Sequence, residues 1–257
     1  MVPVAKRTPT PKVKGLAEFA MLPGLEPQSV EPAAVAGADG HRMRMRRRLL
    51  KAGPESLADH EMLEMILFIT MPRRDTKPIA WTLLNRFRTF GGVLGAPVAE
   101  LMQVDGLGEG GAAALKLVQA AALRMKWQEI VAQPVLATWD RLTEYLMAAM
   151  GHERTEQFRV LFLDGRNRLI ADEVQGHGTI NHAPAYPREV VRRCLDLHAS
   201  AVILAHNHPS GEPIPSREDV ALTGDIARAA AVMGIAVHDH IIVGKGKWLS
   251  LRAEKLL

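Results

Sequence analysis

The stretch Ala201-Val202-Ile203-Leu204-Ala205-His206-Asn207-His208-Pro209-Ser210-Gly211-Glu212-Pro213-Ile214-Pro215-Ser216-Arg217-Glu218-Asp219 decides the reading of this chain. Its first five residues are an apolar, β-branched-rich run that predicts a buried strand. His206 and His208 leave the end of that strand on one face, because strand side chains alternate with period two. Pro209 and Gly211 break the run, and Ser216 opens a helix in which Asp219 stands one turn on. Two imidazoles and a carboxylate make three protein ligands, and a tetrahedral ion keeps a fourth position for water. That is the arrangement of a hydrolytic rather than a structural Zn2+ site. Cys194 is the single cysteine, which excludes a Cys/His zinc finger. Another reading makes the histidines loop residues beside a Pro-Gly turn.

Working outward, Thr138 or Asp140 can cap an amphipathic helix carrying Leu142, Tyr145, Leu146 and Met150. Phe158 to Leu163 reads as a strand, Asp164-Gly165 as a hairpin turn, and Leu169 to Val174 as the returning strand. A helix follows over Arg188 to Leu197, after Pro187, with Cys194 packed on its apolar side. The helix opened by Ser216 runs to about Met233, where Gly234 stops it. The last strands are Ile235 to Val237, His240 to Val243 and Trp248 to Leu251. Strands interleaved with helices predict an α/β (α+β) fold, a mixed sheet flanked by helices, over 134–257.

The front of the chain differs. Residues 1–38 are rich in Pro, Ala and Gly without a sustained period and predict a disordered basic arm. Residues 39–130 read as a small all-helical domain, and Gln133-Pro134 as its linker to the rest. Ser56 or Asp59 can cap a helix ending at Ile69, Pro72 closes it, Ile79 to Phe87 supplies another, and a third begins near Pro97. Residues 1–51 hold 10 Lys/Arg against 4 Asp/Glu, whereas the remainder holds 22 against 24. Electrostatic affinity for nucleic acid therefore belongs to the N-terminal fifth. The run Arg42-Met-Arg-Met-Arg-Arg-Arg48, with Arg46 and Arg47, is either a DNA contact or a solvated helix face with Met43 and Met45 packing inward. Leu101 to Leu115, with Gly106 and Gly108, resembles a helix-hairpin-helix element. Glycines there allow close backbone approach, and the free N–H groups opening the next helix can hold a phosphate. Glu109 departs from that pattern by placing a negative charge at the turn, and a plain glycine-rich connector is the other reading.

The spacing His-x-His-x7-Ser-x2-Asp is similar to the JAMM (MPN-plus) metalloprotease signature, and the wording of the stretch resembles the RadC family, formerly filed under DNA repair. Tyr186 to Arg193, Ala199 to Ala205 and Gly234 to Gly244 carry the same likeness, which covers roughly residues 41–257. The resemblance implies an MPN-type sheet, with Zn2+ held by His206, His208 and Asp219. It also implies a catalytic glutamate just before the first strand, which places Glu156 in that role and leaves Glu153 as its competitor. Ser216 has two candidate jobs: N-cap of its helix, and by resemblance donor to the developing oxyanion.

The chemistry implied is hydrolysis of a peptide or isopeptide bond in a peptide or protein substrate, with possible DNA association through residues 1–118. The alternative is a DNA-binding repair or recombination accessory, or a nuclease, in which the zinc serves structure or phosphodiester cleavage. The chain has no run long enough to span a bilayer and no secretory signal, and its lone cysteine fits a reducing compartment, so a cytoplasmic protein without a membrane partner is expected. His177 and His182 lie in a Gly-rich connection that can cover the site. His240 is a structural histidine or a contact to the ligands or substrate.

Overall fold

The computed structural model describes residues 38–131, 133–177 and 185–257. The expected N-terminal arm up to residue 37, and His182 with most of its connection, lie outside the described residues. Residues 42–257 form one compact unit.

The helices α1 (Ala38–Ala52), α2 (Asp59–Thr70), α3 (Lys77–Phe87), α4 (Phe90–Gly95), α5 (Val98–Leu101) and α6 (Gly108–Val131) come first. Then follow α7 (Trp139–Met150), β1 (Gln157–Leu163), β2 (Leu169–His177), α8 (Pro187–Asp196), β3 (Ala201–Asn207), α9 (Arg217–Val232), β4 (Ala236–Val243) and β5 (Trp248–Ser250). The strands form one sheet in the order β2-β1-β3-β4-β5. It is mixed, as expected: β3 and β4 run parallel through the α9 crossover, and every other pair is antiparallel.

Period-two alternation feeds both faces of this sheet. Phe158, Val160 and Phe162 of β1, with Val202 and Leu204 of β3, pack on Val190 and Cys194 of α8 and on Ile226 and Ala230 of α9. Leu161 and Leu163, with Ala201, Ile203 and Ala205, pack on Leu142, Leu146 and Met150 of α7 and on Ile130 at the end of α6. All of β3 is buried, as a strand covered on both faces must be. The first half of α6 instead closes a separate core with Leu63 and Leu67 of α2 and Leu83 of α3. One long helix is thus shared by both cores.

Local differences from the sequence reading have physical causes. Helix α2 starts at Asp59 with Ala58 as its cap position, where the Glu61 carboxylate accepts the Ala58 N–H at 3.0 Å. Ser56 is engaged in the preceding turn, donating to the Gly53 carbonyl at 2.7 Å. Thr138 occupies the cap position of α7 without a side-chain bond to it. The two strands expected over 235–243 are one, β4, broken in pattern by a bulge: Val202 pairs with Val237 but Ile203 with Asp239. His238 is the extra residue, and it reverses the alternation beyond it.

The basic run divides. Arg42 is buried, donates to the carbonyls of Met71 (3.0 Å), Pro72 and Arg74 at the end of α2, and lies 4.4 Å from the Phe68 ring centroid. Arg48 forms a two-pronged pair with the Glu61 carboxylate at 2.8 and 2.7 Å. Arg44, Arg46 and Arg47 are exposed. Met45 packs inward, whereas Met43 is 42% exposed, because one helix turn cannot bury both. Among the described residues no helix is long and apolar enough to cross a membrane.

Helix α4 meets the segment after α7 through glycine: a Cβ at Gly95 would stand 2.5 Å from the Cβ of His152. Gly95→Ala is therefore expected to destabilise the protein by about 1–3 kcal/mol in urea denaturation. Gly224→Ala, inside α9, meets only the movable end of Arg228 at 3.2 Å, and is expected to stabilise by about 0.5–1 kcal/mol. Burial pushes the Cys194 thiol up to about 11. A disulfide reagent at pH 8 is therefore expected to leave Cys194 intact until the protein unfolds; rapid labelling of the native state would contradict this packing.

Candidate metal centre

Three elements supply the candidate ligands. Strand β3 carries His206 one residue before its end, the loop after it carries His208, and α9 presents Asp219 from its first turn. The ring Nε2 atoms of His206 and His208 are 2.9 Å apart. His206 Nε2 is 3.3 Å from Asp219 Oδ1, and His208 Nε2 is 3.6 Å from Asp219 Oδ2. A tetrahedral ion with bonds of about 2.0–2.1 Å spaces its ligand atoms about 3.3 Å apart, so the three donors are already near that spacing.

Hydrogen bonds behind the ligands fix where their protons sit. Thr223 Oγ1 lies 2.6 Å from the Asp219 carbonyl, which can only accept, so the hydroxyl proton goes there. The same Oγ1 is 2.6 Å from His240 Nδ1 and must accept from it. His240 is fully buried, and burial holds its pKa well below the ordinary value. It is therefore neutral, and with Nδ1 protonated its Nε2 is bare. That Nε2 accepts the His206 Nδ1–H at 2.8 Å, which leaves His206 Nε2 as a lone pair facing His208. His208 Nδ1 is 2.9 Å from the Glu212 carbonyl, so it too donates from Nδ1 and presents a bare Nε2.

Two lone pairs and a carboxylate therefore converge, and two lone pairs at 2.9 Å repel unless a cation lies between them. The ion that satisfies them is a proton or a metal. Titration follows the same balance. Burial alone would raise the Asp219 pKa, but the His206 and His208 imidazoles pull it far below the usual carboxylate range. The Asp219 carboxylate, which favours a proton on the His208 ring, raises His208 above its ordinary value, with Glu156 adding a smaller push in the same direction. His206, His208 and Asp219 are the group that can hold a metal among the described residues.

The loop carrying His208 is held by the β4–β5 turn. His208 N–H donates to the Val243 carbonyl at 2.8 Å, and Lys245 N–H to the Gly211 carbonyl at 3.0 Å. Lys247 pairs with the Glu212 carboxylate at 2.7 Å. Gly211 adopts φ +93°, and Gly244 approaches it so closely that a Cβ at Gly244 would overlap the Gly211 carbonyl.

Glu156 directly precedes β1. Phe158 pairs with His206, and the Glu156 charge lies near enough to His208 to raise its pKa. Glu153 instead influences Lys116 of α6, whose pKa burial lowers and Glu153 partly restores. Ser216 caps α9: its Oγ accepts the Asp219 N–H at 3.1 Å and donates to Asp219 Oδ2 at 2.7 Å. The expected trio, Glu156 and Ser216 thus gather in one place. Gly106 and Gly108 lie elsewhere, at the turn into α6 with φ +81° and +63°, and Arg46 and Arg47 lie on α1. Helix α5, the first arm of that turn, has only four residues, and Arg74 Nη1 occupies the Gly106 carbonyl at 2.9 Å.

Sequence reasoning left His240 open and missed Thr223. The bulge at His238 hides the parity that turns His240 toward His206, whereas His238 itself meets Asn167 Oδ1 at 2.6 Å, away from the ligands. Thr223 stands four residues after Asp219, and that helical spacing was the available signal.

Comparison with known proteins gives a consistent picture. The model of the RadC-like JAB domain family matches residues 136–256. A UPF0758 protein of Rhodobacter capsulatus is 53% identical over 213 residues, covering 83% of this chain and 100% of its own length. A UPF0758 protein of Ruegeria pomeroyi is 48% identical over 217 residues, covering 84% of this chain and 97% of its own length. Both matches take in helical sequence ahead of the matched domain.

Thr223→Val removes the acceptor for His240 and frees the His206 ring to change tautomer. It is expected to weaken divalent-metal affinity about 10- to 100-fold in a competition titration. Gly244→Ala, which displaces the His208 loop, is expected to do the same; unchanged affinity in both variants would contradict the arrangement.

Proposed function

The chain belongs to the RadC family, and from that premise we propose that it is a zinc-dependent hydrolase of the JAMM type, cleaving a peptide or isopeptide bond. The observation that carries this reading is the convergence of two bare Nε2 atoms and the Asp219 carboxylate, with the charge of Glu156 acting on His208. The donor set fits zinc, which takes imidazole nitrogen and carboxylate oxygen. When bound, zinc supplies Lewis acidity and lowers the proton affinity of water toward neutrality.

The rest falls to the chain's own residues. His240 and Thr223 hold His206 in one tautomer, and the Glu212 carbonyl does the same for His208. Glu156 takes a proton from the attacking water and hands it to the departing amine nitrogen. A carboxylate in such a role is worth about 10²–10⁴ in rate. Ser216 orders Asp219 through both halves of its capping box and through its hydroxyl, which donates to Oδ2. Turned from Oδ2 toward the reacting carbonyl, its hydroxyl supplies a donor to the developing oxyanion. Both candidate jobs of Ser216 are thus compatible.

The test is metal analysis joined to hydrolysis of a degenerate quenched-fluorescent peptide library. Wild type is expected to carry about one zinc per chain and to cleave members of the library. Glu156→Gln is expected to keep the zinc and lose about 10²- to 10⁴-fold in rate. Undiminished cleavage by Glu156→Gln, or cleavage of DNA phosphodiesters with none of peptides, would overturn the reading.

A further inference from the structure

Asn207 stands between the two histidines but faces the opposite side of the sheet, and it is 1% exposed. Its Oδ1 accepts the Gln157 N–H at 2.8 Å. Its Nδ2 donates to the Thr155 carbonyl at 3.1 Å and to the Glu153 carbonyl at 3.4 Å. These three backbone groups bracket Glu156, and they lie about fifty positions away in sequence. One side chain on the ligand strand therefore satisfies the main chain on both sides of Glu156.

We propose that Asn207 is a positioning residue that fixes Glu156 relative to His206 and His208; the proposal rests on the role given above to Glu156. The chemistry required is narrow. The position must accept one N–H and donate to two carbonyls at once, which a carboxamide does, whereas a carboxylate offers no donor and an apolar side chain neither function. Removing it strands a buried donor, which costs more than the bond itself contributes. The start of the same segment is held from the other side. His152 rests on Gly91 and Gly95 of α4, and Arg154 Nη1 meets Glu100 Oε2 of α5 at 2.7 Å. Asn207 therefore governs the end that delivers the carboxylate.

The experiment uses the full chain loaded with Co2+, whose visible d–d absorption reports the ion's surroundings, and reads amide hydrogen exchange alongside it. Asn207→Ala is expected to bind Co2+ with affinity within about threefold of wild type and to lose about tenfold or more of the protection at Gln157. The amides of β3 and β4 should be unchanged. Asn207→Asp, which keeps the acceptor, should retain the Gln157 protection. Glu156→Gln should alter the cobalt spectrum in the wild-type background and much less in Asn207→Ala. Unchanged Gln157 exchange in Asn207→Ala, or an equal spectral effect of Glu156→Gln in both backgrounds, overturns the role of Asn207 alone. A Glu156→Gln spectrum identical to wild type overturns the role of Glu156, and the positioning role with it. Should Asn207→Ala fail to fold, Asn207→Gln, whose amide is displaced by one methylene, carries the same test.

Discussion

The constraint on which the site depends is the buried chain of hydrogen bonds from the Asp219 carbonyl through Thr223 and His240 to His206. A helix carbonyl cannot donate, and that fact propagates along the chain until it dictates which nitrogen of His206 is bare. Leaving a member of a buried polar network without its partner is costly, so the network favours a single proton arrangement. The same logic acts at His208 through the Glu212 carbonyl. Both ligands are thereby prepared for a cation, and the repulsion of their facing lone pairs supplies the demand for it.

The sheet puts these parts within reach. Strand β3 is central, so its end lies between β1, which brings Glu156, and β4, which brings His240. The parallel crossover from β3 to β4 makes α9 start beside the end of β3, where Asp219 and Ser216 face the histidines. Ligands at the carboxyl end of parallel strands, next to a helix start, are a recurring solution in α/β sheets. Alternation then separates two tasks on neighbouring residues: His206 faces His208 and Asp219, and Asn207 faces the backbone that carries Glu156.

Much of this was legible in the chain. The apolar run before His206, the turn residues after His208 and the Ser216 cap gave the strand, loop and helix in order, because each depends on local chemistry. The α/β class followed from the same patterns, and the mixed sheet flanked by helices from the family resemblance. What was not legible depended on register. His240 is a ligand support only because a bulge at His238 reverses the parity of β4, and a bulge leaves no mark in a short apolar strand. Asn207 reads as a spacer until the pairing of β1 with β3 is known. The start of α2 was misplaced because Glu61 reaches back to the Ala58 N–H, so the cap needs no polar side chain at the first position.

The most direct test of the account is the nitrogen-15 NMR spectrum of the histidine side chains, recorded with and without added zinc. The account predicts that His206 and His208 both carry their proton on Nδ1, and that their Nε2 signals alone move to metal-bound positions when zinc is added. His240 should remain neutral with its proton on Nδ1 throughout. Protons on Nε2 of either ligand in the zinc-treated protein, or no response of these rings to zinc, would contradict it.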